Sequence, residues 1–284
     1  MNPAEPLLGA ALADDLANNR DAEGDRPTAD NTLLRGSDAY SCGRRIAFAA
    51  MKIPRVVPFS TDTLMAFDAG KHHHTRLQGL MVSKFGADLE VACSYKELGI
   101  EVSGHADAVY TWGRSKRVTE IKSMKSYPFI KAVGGPDKYG RSSDPEGPKL
   151  EHVLQAGIYA ASPQIQADTL HLVYINKEDG RVAEWLVPMK GEPFGPEERD
   201  VAELVEEELQ RLNRIADDIR HDLLPWRHIP GHGIVKDPPA ADSKNDPWNC
   251  RYCPWQPLCA RLPTSKVSVR MCDPANVPTD EEPF

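Results

Sequence analysis

The spacing of apolar residues predicts helices over 37–51 and 61–85, the second opened by Thr61 or Asp62 as a capping residue. The period then changes. Residues 89–95, 100–112 and 117–123 are rich in Val, Ile, Tyr and Thr and are separated by Gly and polar turn residues, which predicts a three-stranded meander. Helical spacing returns over 150–161. Residues 169–176 and 181–188 then read as a hairpin around Glu178, Asp179 and Gly180, and 197–221 as a long, charged amphipathic helix. Between these elements lie a Gly-, Pro- and Ser-rich loop, 134–148, of a length that often carries function, and the Pro-rich stretch 224–247. The order predicts an α/β chain: a mixed central sheet flanked by helices, an N-terminal helical region before it and a Cys-rich segment after it.

With 284 residues and 40% hydrophobic content, the chain can build one main domain with appendages. Its longest early apolar run, 46–51, is far short of the roughly 18 residues of a membrane span. The opening MNPAEPLLGAALADD has no basic leader ahead of its apolar residues. Both features point to a soluble, cytoplasmic protein with no membrane partner and with reduced thiols. A net charge of −8 argues at first against nucleic acid as a partner. The acids, however, gather at the ends, seven in 1–30 and four in 273–284. Over 113–149, nine Lys and Arg stand against four Asp and Glu, bracketing Glu120 and Lys122. That stretch suits a phosphate backbone; a solvated basic loop is the plain alternative.

On a strand, Glu120 and Lys122 project from one face, Thr119 and Ile121 from the other. If the preceding strand pairs antiparallel with theirs, Asp107 comes near Glu120, and two carboxylates meet where a hard cation would sit. A cation there would neutralise charge developing on a scissile phosphate, with Lys122 placed to orient water or stabilise the transition state. Phosphodiester hydrolysis is the expected chemistry; the plain alternative is a surface Glu and Lys pair on an edge strand. The alternation of Ile100, Val102, Ala106 and Ala108 sets Asp107 opposite the more apolar face, with Val109 on its own side, so this strand should be buried on both faces.

Cys250, Cys253 and Cys259 form C-x2-C-x5-C, with Pro254 and Pro257 turning the chain so that the thiolates converge. A fourth ligand is needed. Local spacing favours Cys272 and a four-cysteine zinc site, with disulfides as the alternative in an oxidising setting. Cys93, on a predicted strand, reads as a small buried residue.

In chain order, G-x-x-x-H at 70–74, G-x-x-D at 104–107, E-I-K at 120–122 and Q-x-x-x-Y at 155–159 resemble the PD-(D/E)XK nuclease superfamily, and within it the RecB-like exonucleases, over roughly residues 37–260. The resemblance implies a restriction-endonuclease-like core in which Lys122, Glu120 and Asp107 are catalytic. It implies Mn²⁺ or Mg²⁺ bound by His74, Asp107, Glu120 and the main-chain carbonyl of Ile121; a nitrogen ligand suits Mn²⁺ in particular. Gln155 and Tyr159, at i and i+4 of a helix, would address the DNA or the carboxylates.

CRISPR-associated and related RecB-like nucleases with iron-sulfur clusters place one cysteine in the N-terminal helix and three near the C-terminus. Cys42 in YSCGRRIAF matches the first position. The resemblance therefore implies a structural 4Fe-4S cluster on Cys42, Cys250, Cys253 and Cys259, with zinc as the alternative. The implied layout is a mobile acidic arm 1–30, a nuclease domain 31–223, a linker 224–249, a cluster segment 250–260 and a tail 261–284. The implied activity is exonucleolytic cleavage of single-stranded DNA or DNA ends. The alternative is a non-catalytic DNA-end-binding adaptor serving a nuclease, helicase or integrase partner; intact Glu120 and Lys122 argue against it.

Overall fold

The computed structural model describes residues 31–136, 139–195, 197–235 and 248–272. The expected acidic arm, residues 236–247 of the expected linker and 273–284 of the tail lie outside them. A six-stranded mixed sheet forms the centre: β1 Leu34–Arg35, β2 Asp88–Ser94, β3 Val102–Trp112, β4 Ser115–Met124, β5 Thr169–Asn176 and β6 Val182–Pro188. Around it run α1 Gly43–Ala50, α2 Thr61–Phe85, α3 Ser126–Val133, α4 Leu150–Ala161 and α5 Val201–Arg220, with two short helices, α6 Trp248–Arg251 and α7 Gln256–Ala260, near the end.

Strands β2, β3 and β4 form the expected antiparallel meander, and β5 and β6 the expected hairpin. Between them β4 and β5 run parallel, which requires a crossover, here α3 and α4. The consequential detail is where β3 and β4 separate. They are paired only from Ala108↔Thr119 to Trp112↔Ser115. Beyond that point β4 stays with β5 as far as Met124↔Asn176, while β3 stays with β2 back to Ser103. Because β2 occupies one edge of β3, the parallel pairing of β1 with Val102 and Ser103 must use the edge that β4 has left. Asp107 and Glu120 are the first residues past this fork.

The main core lies on one sheet face, where Val118, Leu170 and Leu172 pack with Val153, Ala156 and Ile158 of α4 and Val205 and Leu212 of α5. On the other face a smaller cluster joins Met81, Ala87, Ala108 and Tyr110 beneath the end of α2. Ala106, Ala108 and Val109 are all buried, so β3 is covered on both faces as its alternation required. Among the described residues, no helix is long and apolar enough to cross a membrane.

Several boundaries differ from the sequence expectation. The cap of α2 is Ser60, whose side chain accepts from the Thr63 N–H, and not Thr61 or Asp62; Gly86 closes the helix in the left-handed region at φ 62°. Helix α1 begins only at Gly43, because 36–38 form a 3₁₀ turn and Tyr40 has φ 59°. Helix α5 begins at Val201: Arg199 bridges back to Phe194 and ties itself to Glu203 and Glu207, holding 197–200 as a turn. Helix α3 was not expected. Its Pro128 stands in the first turn, where a missing N–H does no harm, and Phe129 and Ala132 bury against Met124 and Tyr174. The described part of the expected linker is packed: Leu223 and Leu224 pair with Ser268 and Val267, and Leu224 and Ile229 are fully buried.

Candidate active site and thiol pocket

Side chains of neighbouring β4 residues point to opposite sheet faces, and the two flanking helices exploit this. Lys122 faces α4, where its Nζ donates to Gln155 Oε1 at 2.9 Å. Ser123 faces α2: a Cβ on Gly70 would stand 2.9 Å from Ser123 Oγ. The glycine of G-x-x-x-H is thus a close-approach residue, letting α2 lie against β4 so that His74, one turn on, reaches Asp107. His74 Nδ1 and Asp107 Oδ1 are 3.7 Å apart. The glycine of G-x-x-D serves a similar purpose, since a Cβ on Gly104 would stand 2.7 Å from Tyr159 Cε1.

The acids occupy the fork. Asp107 Oδ2 accepts from the Ile121 N–H at 2.7 Å, a main-chain donor left free because β3 and β4 no longer pair there. Glu120 is 2% exposed; its Oε1 meets Lys122 Nζ at 2.7 Å, and its Oε2 is buried with no partner. Gln155 Nε2 in turn donates to Tyr159 OH at 3.2 Å. A chain therefore runs from Glu120 through Lys122 and Gln155 to Tyr159. The fork brings together His74, Asp107, Glu120, Lys122, Gln155, Tyr159 and the backbone of Ile121.

Burial raises the carboxyl pKa of both Asp107 and Glu120, opposed by the Ile121 N–H at the first and by Lys122 at the second. His74 is lowered by burial, with Glu120 pulling the other way. Buried Glu120 with its orphaned oxygen, part-buried Asp107 and an imidazole whose protonated form burial disfavours are donor types that suit a divalent cation. Among the described residues, no three His, Cys, Asp or Glu side chains stand close enough together to hold a metal ion as they are placed.

Three contributors were missed. His152 lies three residues before Gln155 on the same face of α4, with Nδ1 2.7 Å from Tyr174 OH; burial and then Lys122 push its pKa well down. The i, i+3, i+7 series of His152, Gln155 and Tyr159 was the available signal. Gln78 donates to the Asp107 carbonyl at 3.1 Å and to Glu90 Oε1 at 2.6 Å. Glu90 stands opposite Asp107 at a break in the β2 ladder, with φ 48°. No periodicity marks either residue.

A second assembly lies at the C-terminal end of the fold. Cys42, at the N-cap of α1, and Cys250, Cys253 and Cys259 line one pocket together with Arg44 and Arg227. Burial, and repulsion from the neighbouring thiols, push Cys250 up to about 12; burial pushes Cys253 up to about 11 and also raises Cys42. Cys272 is buried beside Cys259 and Arg44 but is not among the residues lining the pocket. Cys93 is buried in the main core, and all six cysteines are free. Burial disfavours the thiolates of Cys42, Cys250 and Cys253, and four cysteines lining one pocket are donors of the kind that a soft metal centre would deprotonate.

No protein-family model matches the chain, and comparison with well-described proteins finds no relative. Among solved structures the chain is similar to the crystal structure of SSO0001, over 89% of this chain and 96% of that one, at 18% identity and a TM-score of 0.50. At that identity the likeness is one of fold.

Proposed function

We propose that the chain is a metal-dependent DNA exonuclease with a restriction-endonuclease-like core, acting on single-stranded DNA or DNA ends in the cytoplasm. The observation that carries this reading is the fork between β3 and β4, where Asp107, Glu120 and Lys122 converge and Glu120 Oε2 is buried without a partner. His74, Asp107, Glu120 and the Ile121 carbonyl would hold Mn²⁺ or Mg²⁺, which when bound supplies Lewis-acid neutralisation of the scissile phosphate. Lys122 is an ammonium held by Glu120 and Gln155, ready to donate to a phosphate oxygen as negative charge develops there. Gln155 and Tyr159 fix that ammonium from α4. Cys42, Cys250, Cys253 and Cys259 would carry a structural 4Fe-4S cluster, with zinc as the alternative occupant.

The test is degradation of end-labelled single-stranded and duplex DNA with Mn²⁺ or Mg²⁺. Wild type should shorten the labelled strand, EDTA should stop it, and Lys122→Ala should lower the rate by roughly 10²–10⁴-fold while the fold is kept. Wild type that binds DNA ends without cutting, under either metal, would instead favour an adaptor.

A further inference from the structure

Two arginines are buried beside the four thiols, at 1% exposure for Arg44 and 2% for Arg227. Among the described residues neither forms an ion pair with a carboxylate; their partners are main-chain carbonyls and sulfur. Arg44 Nε donates to the Pro225 carbonyl at 3.0 Å, its Nη2 to the Ser265 carbonyl at 2.7 Å and to that of Pro263, and its Nη1 lies 3.9 Å from Cys259 Sγ. Arg227 Nη2 donates to the carbonyls of Cys259 and Leu262, at 2.6 and 2.7 Å. Its Nε and Nη1 are buried with no partner, and the residue lines the pocket that the four cysteines line.

Two desolvated guanidiniums without an anion are a costly arrangement, and unspent N–H donors add to the cost. The pocket itself can supply what is missing. Four thiolates around a core of charge two plus, whether Zn²⁺ or an oxidised 4Fe-4S core, leave a centre of charge two minus. Two guanidiniums balance it.

We propose that Arg44 and Arg227 are the counter-charges of a four-thiolate metal centre, and that the free Nε–H and Nη1–H of Arg227 are hydrogen-bond donors to its sulfurs. This deepens the reading of the pocket given above and depends on it. Arg227 is then a positioning residue for the centre. Its Nη2, pinned to the carbonyls of Cys259 and Leu262, anchors the guanidinium fork in the wall of the pocket. Lysine in its place keeps the charge and loses the fork; methionine loses both.

The experiment uses the full chain, purified anaerobically, as wild type, Arg227→Lys and Arg227→Met. It measures iron, acid-labile sulfide and zinc per chain, together with the rate at which a chromogenic chelator removes the metal. Far-UV circular dichroism checks the fold of each variant. Arg227→Met should lose metal at least about ten-fold faster than wild type, and Arg227→Lys should recover most of that loss. If iron is present, the reduction midpoint of Arg227→Met should move to more negative potential, since a nearby positive charge favours the reduced centre. Equal release rates in all three proteins would overturn the proposal while leaving the metal centre standing. Lysine failing as badly as methionine would also overturn it, because a purely carbonyl-pinning role predicts that result. Wild type free of both iron and zinc would overturn the metal centre itself and this proposal with it.

Discussion

Glu120 concentrates the electrostatic cost of the candidate active site in one side chain. Burial raises its carboxyl pKa and that of Asp107 from ordinary values of 4.5 and 3.8 towards neutrality. For an acid raised on folding, the stability contribution is complete below the ordinary value and is lost as pH rises through the folded one. The metal-free protein should therefore lose stability from this pair as pH climbs from about 4 towards neutrality. Mn²⁺ should restore it, since binding selects the ionised acids. Glu120→Gln removes the buried charge. It should raise the melting temperature of the metal-free protein at pH 8 by about 2–4 °C, equivalent to roughly 1 kcal/mol, with the gain vanishing near pH 5. The same variant should abolish the Mn²⁺-induced rise in melting temperature. A wild-type-minus-variant difference that stays flat across pH would contradict this account.

At the level of elements, the site depends on how closely α4 and α2 approach the forked strands, and two glycines set that approach. Gly104→Ala would push a methyl group into Tyr159, whose hydroxyl is held by the same Gln155 that holds Lys122. We expect a rate loss of about ten-fold or more with KM little changed, because the substitution displaces the ammonium without removing it. Steady-state cleavage of a labelled oligonucleotide separates the two parameters; a change in KM alone would argue that Tyr159 only contacts DNA. Strands β3 to β5 and the helix over 150–161 were legible because they bury long apolar stretches, whereas the helix over 61–85 buries only Leu64 and Met81 and was legible from its length and its polar opening. Helix α3 was not, since SYPFIKAV is short, carries a proline and owes its form to Phe129 packing on Tyr174. Asp107, Glu120 and Lys122 were legible from alternation and chain order, but the fork itself was not. It arises because β4 follows β5 and β3 follows β2, a choice made by pairings distant in sequence. Arg227 was invisible for a related reason: in sequence it is one cation in a Pro-rich stretch, and its partners Cys259 and Leu262 lie more than thirty residues on.

Across the whole molecule, the thiol pocket joins α1 to a segment some two hundred residues later, and the chain between them contains five of the six strands of the central sheet, β2 to β6. Protein contacts hold this junction as well: Arg44 grips the carbonyls of Pro225 and Ser265, Trp255 Nε1 donates to the Ile53 carbonyl at 2.9 Å, and Phe48 packs on Trp255. Removing one ligand should therefore loosen the C-terminal segment without unfolding the sheet, whose core of Val118, Leu170 and Leu172 packs on α4 and α5. Cys42→Ala should lower the metal content and make 248–272 the first region cut by a low dose of protease, with 88–220 surviving uncut. Cys272→Ala, beside the pocket but not lining it, should keep metal and protease resistance near wild type. Fragment masses after timed digestion, read beside metal content, separate the outcomes. If Cys272→Ala strips the metal and Cys42→Ala does not, the centre is a local four-cysteine site at the C-terminus. The long-range closure would then rest on protein contacts, those of Arg44, Phe48 and Trp255 among them.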